Sequence, residues 1–122
     1  MKKTQQVTSV ELSNRLHELG VTTPSMFFRE WTGAKEDEIE MWKDEDGEYC
    51  LDNVNCYTVA ELGEILPYNW FNFYVWDEEN LTGYGLELVH SIFEEHREIA
   101  DTEANARAKM LIYLIENNLI KI

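Results

Sequence analysis

The stretch ADTEANARAKMLIYLIENNLI, residues 100–120, constrains the fold more than any other part of the chain. Asp101 or Thr102 can cap a helix, Glu103 puts a carboxylate in its first turn, and Asn117 and Asn118 mark its end. On a 100° wheel Ala104, Ala108, Leu111 and Ile115 form one stripe, which Ile112 and Leu119 widen on one side and Leu114 and Met110 on the other. An apolar arc over more than half of a helix has to be buried, so this is a core helix. Arg107 falls inside the arc, while Lys109, Tyr113 and Glu116 lie opposite. The arginine is expected to lay its methylenes along the apolar surface and to carry its guanidinium to Glu103, or to solvent at a sheet edge.

Two further helices carry start signals. Thr8 with Glu11 has capping-box spacing and Val7 with Leu12 that of a hydrophobic staple, which predicts a helix to Leu19. Gly20 then supplies a left-handed stop, with Val21 for the accompanying apolar contact. Thr58 with Glu61 and Tyr57 with Leu62 repeat both signals before a short helix, 59–66, closed by Pro67. The segments between them read as strands. SMFFREW is short and aromatic. EIEMW and EYCL flank KDEDG as a hairpin turning at Asp46-Gly47. NWFNFYVW alternates Phe71, Phe73 and Val75 with Trp70, Tyr74 and Trp76, and both faces are expected to be covered. DEENLTGYG reads as a turn region; in LELVHSIFEEHREIA Leu86, Val89 and Phe93 fit a helix while Leu86, Leu88 and His90 fit alternation, and the preceding glycines and β-branched or aromatic residues favour a strand. The sum is one α+β domain over 1–122, a small, mostly antiparallel sheet packed with about three helices, the C-terminal one in the core.

Charge narrows the partners. Lys plus Arg number 10 against 24 Asp plus Glu, a net charge of −14, which repels phosphate backbones and anionic lipid surfaces and steers toward basic partners. No apolar run is long enough to span a membrane, and MKKTQQVTSVELS lacks the apolar stretch of a secretory signal. A cytoplasmic location is expected, with Cys50 and Cys56 as reduced thiols.

YTVAELGEILP (57–67) and ADTEANARAKMLIYLIENNLI (100–120), together with VELSNRLHELGV (10–21), resemble segments of a group of small, uncharacterised bacteriophage and prophage proteins. The helix, strand, strand, helix layout is similar to the phage ABA sandwich domain. The resemblance implies a small sheet covered by helices and a phage or prophage setting in a bacterial host; it brings no catalytic or ligand-binding residue.

Chemical motifs are sparse. Cys50, Cys56, His90, His96 and the more distant His17 lack the close spacing of common zinc sites. Aligning Gly47 with the sixth position of a calcium loop puts Trp42 at the first and Asn53 at the twelfth, where carboxylates belong. No nucleophile elbow, phosphate loop or dinucleotide fingerprint occurs. Glu94, Glu95, His96 and Glu98 read as a solvated charge run between elements. No metal, cofactor or catalytic residue is therefore assigned, and the expected activity is non-enzymatic binding of a protein partner, either a host protein or a second copy of the chain. The candidate surface is Trp70, Tyr74 and Trp76, together with Asp44, Asp46 and Glu48 in an acid-rich stretch, 36–52, that has nine acids and one base. The alternatives are an acidic DNA mimic acting on a host nucleic-acid-binding protein, and an enzyme of unknown type.

Overall fold

A computed structural model describes residues 2–30, 35–41, 53–66, 70–90 and 93–120, with the backbone alone described at 3, 70, 71, 77, 80, 88–90 and 93–95. Along the chain run α1 (Lys3–Gln6), α2 (Val10–Glu18), β1 (Phe27–Glu30), β2 (Glu40–Met41), β3 (Asn53–Cys56), α3 (Val59–Ile65), β4 (Trp70–Asp77), β5 (Asn80–His90), β6 (Phe93–Ala100) and α4 (Glu103–Glu116). The strands form two antiparallel three-stranded sheets, ordered β2-β1-β3 and β4-β5-β6. The fold is α+β, as the sequence predicts, with the C-terminal helix at its centre. No described helix is long and apolar enough to cross a membrane.

α4 packs on β5 and β6 on one side and on α2 and α3 on the other. Its Ala108, Met110, Leu111 and Leu114 are buried with Leu16 of α2 and Val21 beyond it, Tyr57, Leu62 and Leu66 around α3, and Leu86 of β5. Residues expected on an open face are also engaged. Tyr113 stacks on His96 of β6 with ring centroids 3.4 Å apart, and Lys109 Nζ donates to the Ile99 carbonyl at 3.0 Å. A helix covered from two sides needs an apolar arc as broad as this one.

The helix ends follow from single residues. Gly20, at φ 90°, closes α2 with hydrogen bonds from its own N–H to the His17 carbonyl and from the Val21 N–H to the Leu16 carbonyl. Asn118, at φ 56°, does the same for α4, with the Leu119 N–H donating to the Leu114 carbonyl. At α3 the capping box forms as expected: Thr58 Oγ1 accepts from the Glu61 N–H and Glu61 Oε1 from the Thr58 N–H.

The start of α2 differs from expectation. Ser9 is the cap, accepting from the Leu12 N–H. Thr8 is turned inward, where its hydroxyl accepts from the Tyr57 N–H at 3.0 Å and meets Ser13 Oγ at 2.6 Å. Val7 packs with Phe27, Ile39 and Cys56 instead of stapling to Leu12, because the chain before α2 bridges to Thr58. Arg29 is held in the same region, 2% exposed, donating from Nη1 to the carbonyls of Lys35 and Glu36 and from Nη2 to that of Thr8.

Two strand readings are also revised. β1 lies between β2 and β3, and the expected hairpin turn at Asp46-Gly47 falls outside the described residues. Most of DEENLTGYG belongs to β5: only Glu78 and Glu79 turn, with Glu78 at φ 56°, and Asp77 pairs with Asn80. LELVHSIFEEHREIA holds the end of β5 and the whole of β6, so the charge run at 94–98 is strand rather than loop. Alternation with one covered face tolerates charges on the other, which is why a charge run misleads here.

Candidate functional site

Among the described residues the helices leave one strand of the second sheet open. α4 covers the face of β5 and β6 that carries Leu86, His96 and Ala100, and it stops short of β4. Tyr74 and Trp76 on that strand are 51% and 60% exposed. The expectation that both faces of the strand are covered therefore fails at these two positions, because α4 crosses the opposite half of the sheet. Trp70 starts β4, and its side chain is not among those described. Asp44, Asp46 and Glu48 lie outside the described residues, so of the expected surface the structure places Tyr74 and Trp76.

Beside Tyr74 a cleft of about 630 Å³ opens between α1, the first turns of α3 and α4, and β4-β5, within the usual size range of a ligand pocket. Tyr74 and Tyr84 are cross-strand partners in its wall, meeting edge to face with ring centroids 5.7 Å apart, and Leu81 adds an exposed apolar side chain. Asp101 and Glu103 supply two carboxylates. The Tyr74 hydroxyl donates to Glu103 Oε1 over 3.4 Å, a long bond that a competing donor can displace. Asp101 Oδ1 is fixed by Asn105 Nδ2 at 2.9 Å, and Asn105 Oδ1 accepts from the Ser9 N–H, so this carboxylate is oriented through α4 and the cap of α2.

The electrostatic balance of the cleft can be estimated. Two helix N-termini contribute together on the order of one positive charge, against two carboxylates in a molecule of net charge −14, so the cleft stays negative. Tyrosine faces beside carboxylates favour a cation by quadrupole attraction and Coulomb energy together. Leu81 and Tyr84 escape a reading of the sequence because residues 80–85 look like a turn, and Asp101 and Glu103 because they read only as a helix start. The signal was the alternation of Leu86 back through Tyr84.

Other groups are committed to structure. His96 Nε2 lies 2.9 Å from Glu98 Oε1 while its ring is stacked under Tyr113, and Glu98 lines a cleft of about 590 Å³ with Arg15, Lys109 and Glu116. Arg15 binds Glu116 Oε1 through Nε at 3.0 Å and Nη2 at 2.7 Å, pinning α2 to α4 across that cleft. Cys56 is fully buried, and burial pushes its thiol up to about 11, the wrong direction for a nucleophile or a ready metal ligand. Among the described residues no three His, Cys, Asp or Glu side chains come together as a metal site would require. Comparison of the chain with family models, with curated proteins and with solved structures finds no match.

Proposed function

We propose that this is a non-enzymatic binding protein that takes a basic side chain of a protein partner into the cleft between Tyr74, Tyr84, Asp101 and Glu103. In keeping with the resemblance of residues 57–67 and 100–120 to small phage and prophage proteins, the partner is a protein of a bacterial host cell and the encounter takes place in its cytoplasm. The observation that carries this reading is the pairing of two tyrosine rings with two carboxylates in an open cleft of about 630 Å³. The negative charge of the whole molecule speeds the approach of a basic partner, and the tyrosines select a cation that can shed water onto an aromatic face.

The test is recovery of partners from a host lysate under native conditions with wild type, Tyr74→Ala and Leu81→Lys side by side. Tyr74 and Leu81 are both exposed, so the variants keep the fold. A basic protein enriched by wild type, lost with both variants and weakened by salt supports the reading. Recovery that ignores both substitutions, or no recovery at all, refutes it.

A further inference from the structure

We infer that β4 pairs with β4 of a second copy of this chain, antiparallel about a two-fold axis through Phe73, joining two three-stranded sheets into one of six strands. This goes beyond the binding reading and does not need it. Among the described residues β4 is an outer strand of its sheet, eight residues long, and none of them pairs with its other edge. Proteins normally protect such an edge with charges, proline or a bulge. The opposite edge, β6, follows that rule with Glu94, Glu95, Arg97 and Glu98. β4 has its one charge at the end, Asp77, and from Trp70 to Trp76 no charged residue and no proline. The register shift at Val75 and Trp76 adds Thr82 to β5 and leaves β4 itself regular.

The sequence of the strand fits itself. A two-fold pair requires that residue i oppose j wherever j opposes i. Centred on Phe73, WFNFYVW brings Trp70 opposite Trp76, Phe71 opposite Val75, Asn72 opposite Tyr74 and Phe73 opposite its own copy. Aromatic and apolar positions meet aromatic and apolar ones, and every opposed pair shares a face. Tyr74 and Trp76, half or more exposed in one copy, thereby gain neighbours across the seam. Centring on Tyr74 instead would bring Asp77 opposite Phe71.

Charge placement permits the pairing. Asp77 ends the strand and Glu78 and Glu79 follow it, so the two sets of acids lie at opposite ends of the seam. Asp77 and its copy are eight residues apart along the strand direction, about 27 Å, or roughly three screening lengths at physiological salt. Four partly exposed aromatics and one strand seam make an interface at the small end of the specific range, so the dimer is weak and reversible.

The experiment is the mass in solution over a dilution series, by sedimentation or light scattering, for three chains. Asn72 and Tyr74 are exposed, so substitutions there leave the monomer folded, which circular dichroism checks. Wild type is expected to rise from 14.4 kDa toward twice that mass with concentration. Asn72→Lys with Tyr74→Lys sets lysine against lysine across both sides of the axis and is expected to weaken the dimer at least about tenfold. Asn72→Lys with Tyr74→Glu sets lysine against glutamate and is expected to restore it, which only this register predicts. Wild type that stays monomeric at every concentration, a dimer indifferent to the two lysines, or a lysine-glutamate chain as monomeric as the double-lysine one overturns the inference.

Discussion

Nη1 of Arg107 donates to the carbonyl oxygen of Val59 across 2.7 Å, joining the second turn of α4 to the first residue of α3. Arg107 is 8% exposed, so it neither reaches solvent nor rests mainly on Glu103, as the helix pattern suggests. Burial lowers its pKa from the usual arginine value, and Glu103 acts in the opposite sense. With the folded pKa lowered, the charged form carries a cost at every pH at which arginine is protonated. Arg107→Met removes that cost together with the charge-assisted hydrogen bond to Val59, so the two changes offset and stability should move by less than about 1 kcal/mol. Leu111→Ala empties a fully buried site and should lose about 2 to 5 kcal/mol. Urea unfolding of both variants checks the order; a larger loss for Arg107→Met would mean that the arginine clamps α4 to α3.

Arg29 is the contrasting case. It satisfies three carbonyls, those of Thr8, Lys35 and Glu36, and its Nη2 lies 3.5 Å from Glu36 Oε2. Arg29→Met takes the donor from the Glu36 carbonyl and one of two donors from those of Thr8 and Lys35, which keep the Ser13 hydroxyl and the Glu38 N–H, and about 1 to 3 kcal/mol of stability should be lost. A loss no greater than that of Arg107→Met would show that the carbonyls rehydrate.

The two arginines also mark what a sequence can disclose. Caps, stops and wide apolar arcs are local, so α3, α4 and the Gly20 stop were legible from spacing alone. Thr8 and Ser9 compete for one helix start, and the choice between them rests on Tyr57, about 50 residues away, which takes Thr8 for itself. The site was half legible: Tyr74 and Trp76 follow from alternation in an aromatic strand, but their exposure depends on where α4 stops, and Tyr84 with Asp101 and Glu103 becomes a neighbour only through sheet register.

Phe73 and Gly85 are cross-strand partners, and a Cβ on Gly85 would overlap the Phe73 ring, over which the Arg97 guanidinium lies 5.6 Å from the centroid. Gly85→Ala should push the ring off its seat and cost about 1 to 3 kcal/mol. In a double-mutant cycle with Phe73→Ala the two effects should fall short of additivity, since the second change has no ring left to displace. Full additivity would separate the two positions.

Cys56 gives a pH signature. Its thiol is raised from 9.0 to about 11, with burial as the largest cause. Below pH 9 the thiol is neutral in both folded and unfolded chains and stability is unaffected. From 9 to 11 the unfolded chain ionises while the native one resists, so stability falls by about 2 to 3 kcal/mol. Unfolding across this window in a Cys50→Ser background should show an alkaline loss that Cys56→Ala lacks; equal slopes would contradict burial as the cause.

A cation seated in the proposed tyrosine and carboxylate cleft would lie against Tyr74, Tyr84 and Leu81. The most direct measurement is an NMR titration of the isotope-labelled chain with a short oligolysine peptide, following Tyr74, Tyr84 and Leu81 against the exposed acids elsewhere. Saturable shifts are expected that begin at these three residues, weaken with Glu103→Gln and vanish with Tyr74→Ala. Shifts spread over the acidic surface, with the cleft residues unmoved and Tyr74→Ala without effect, would contradict it.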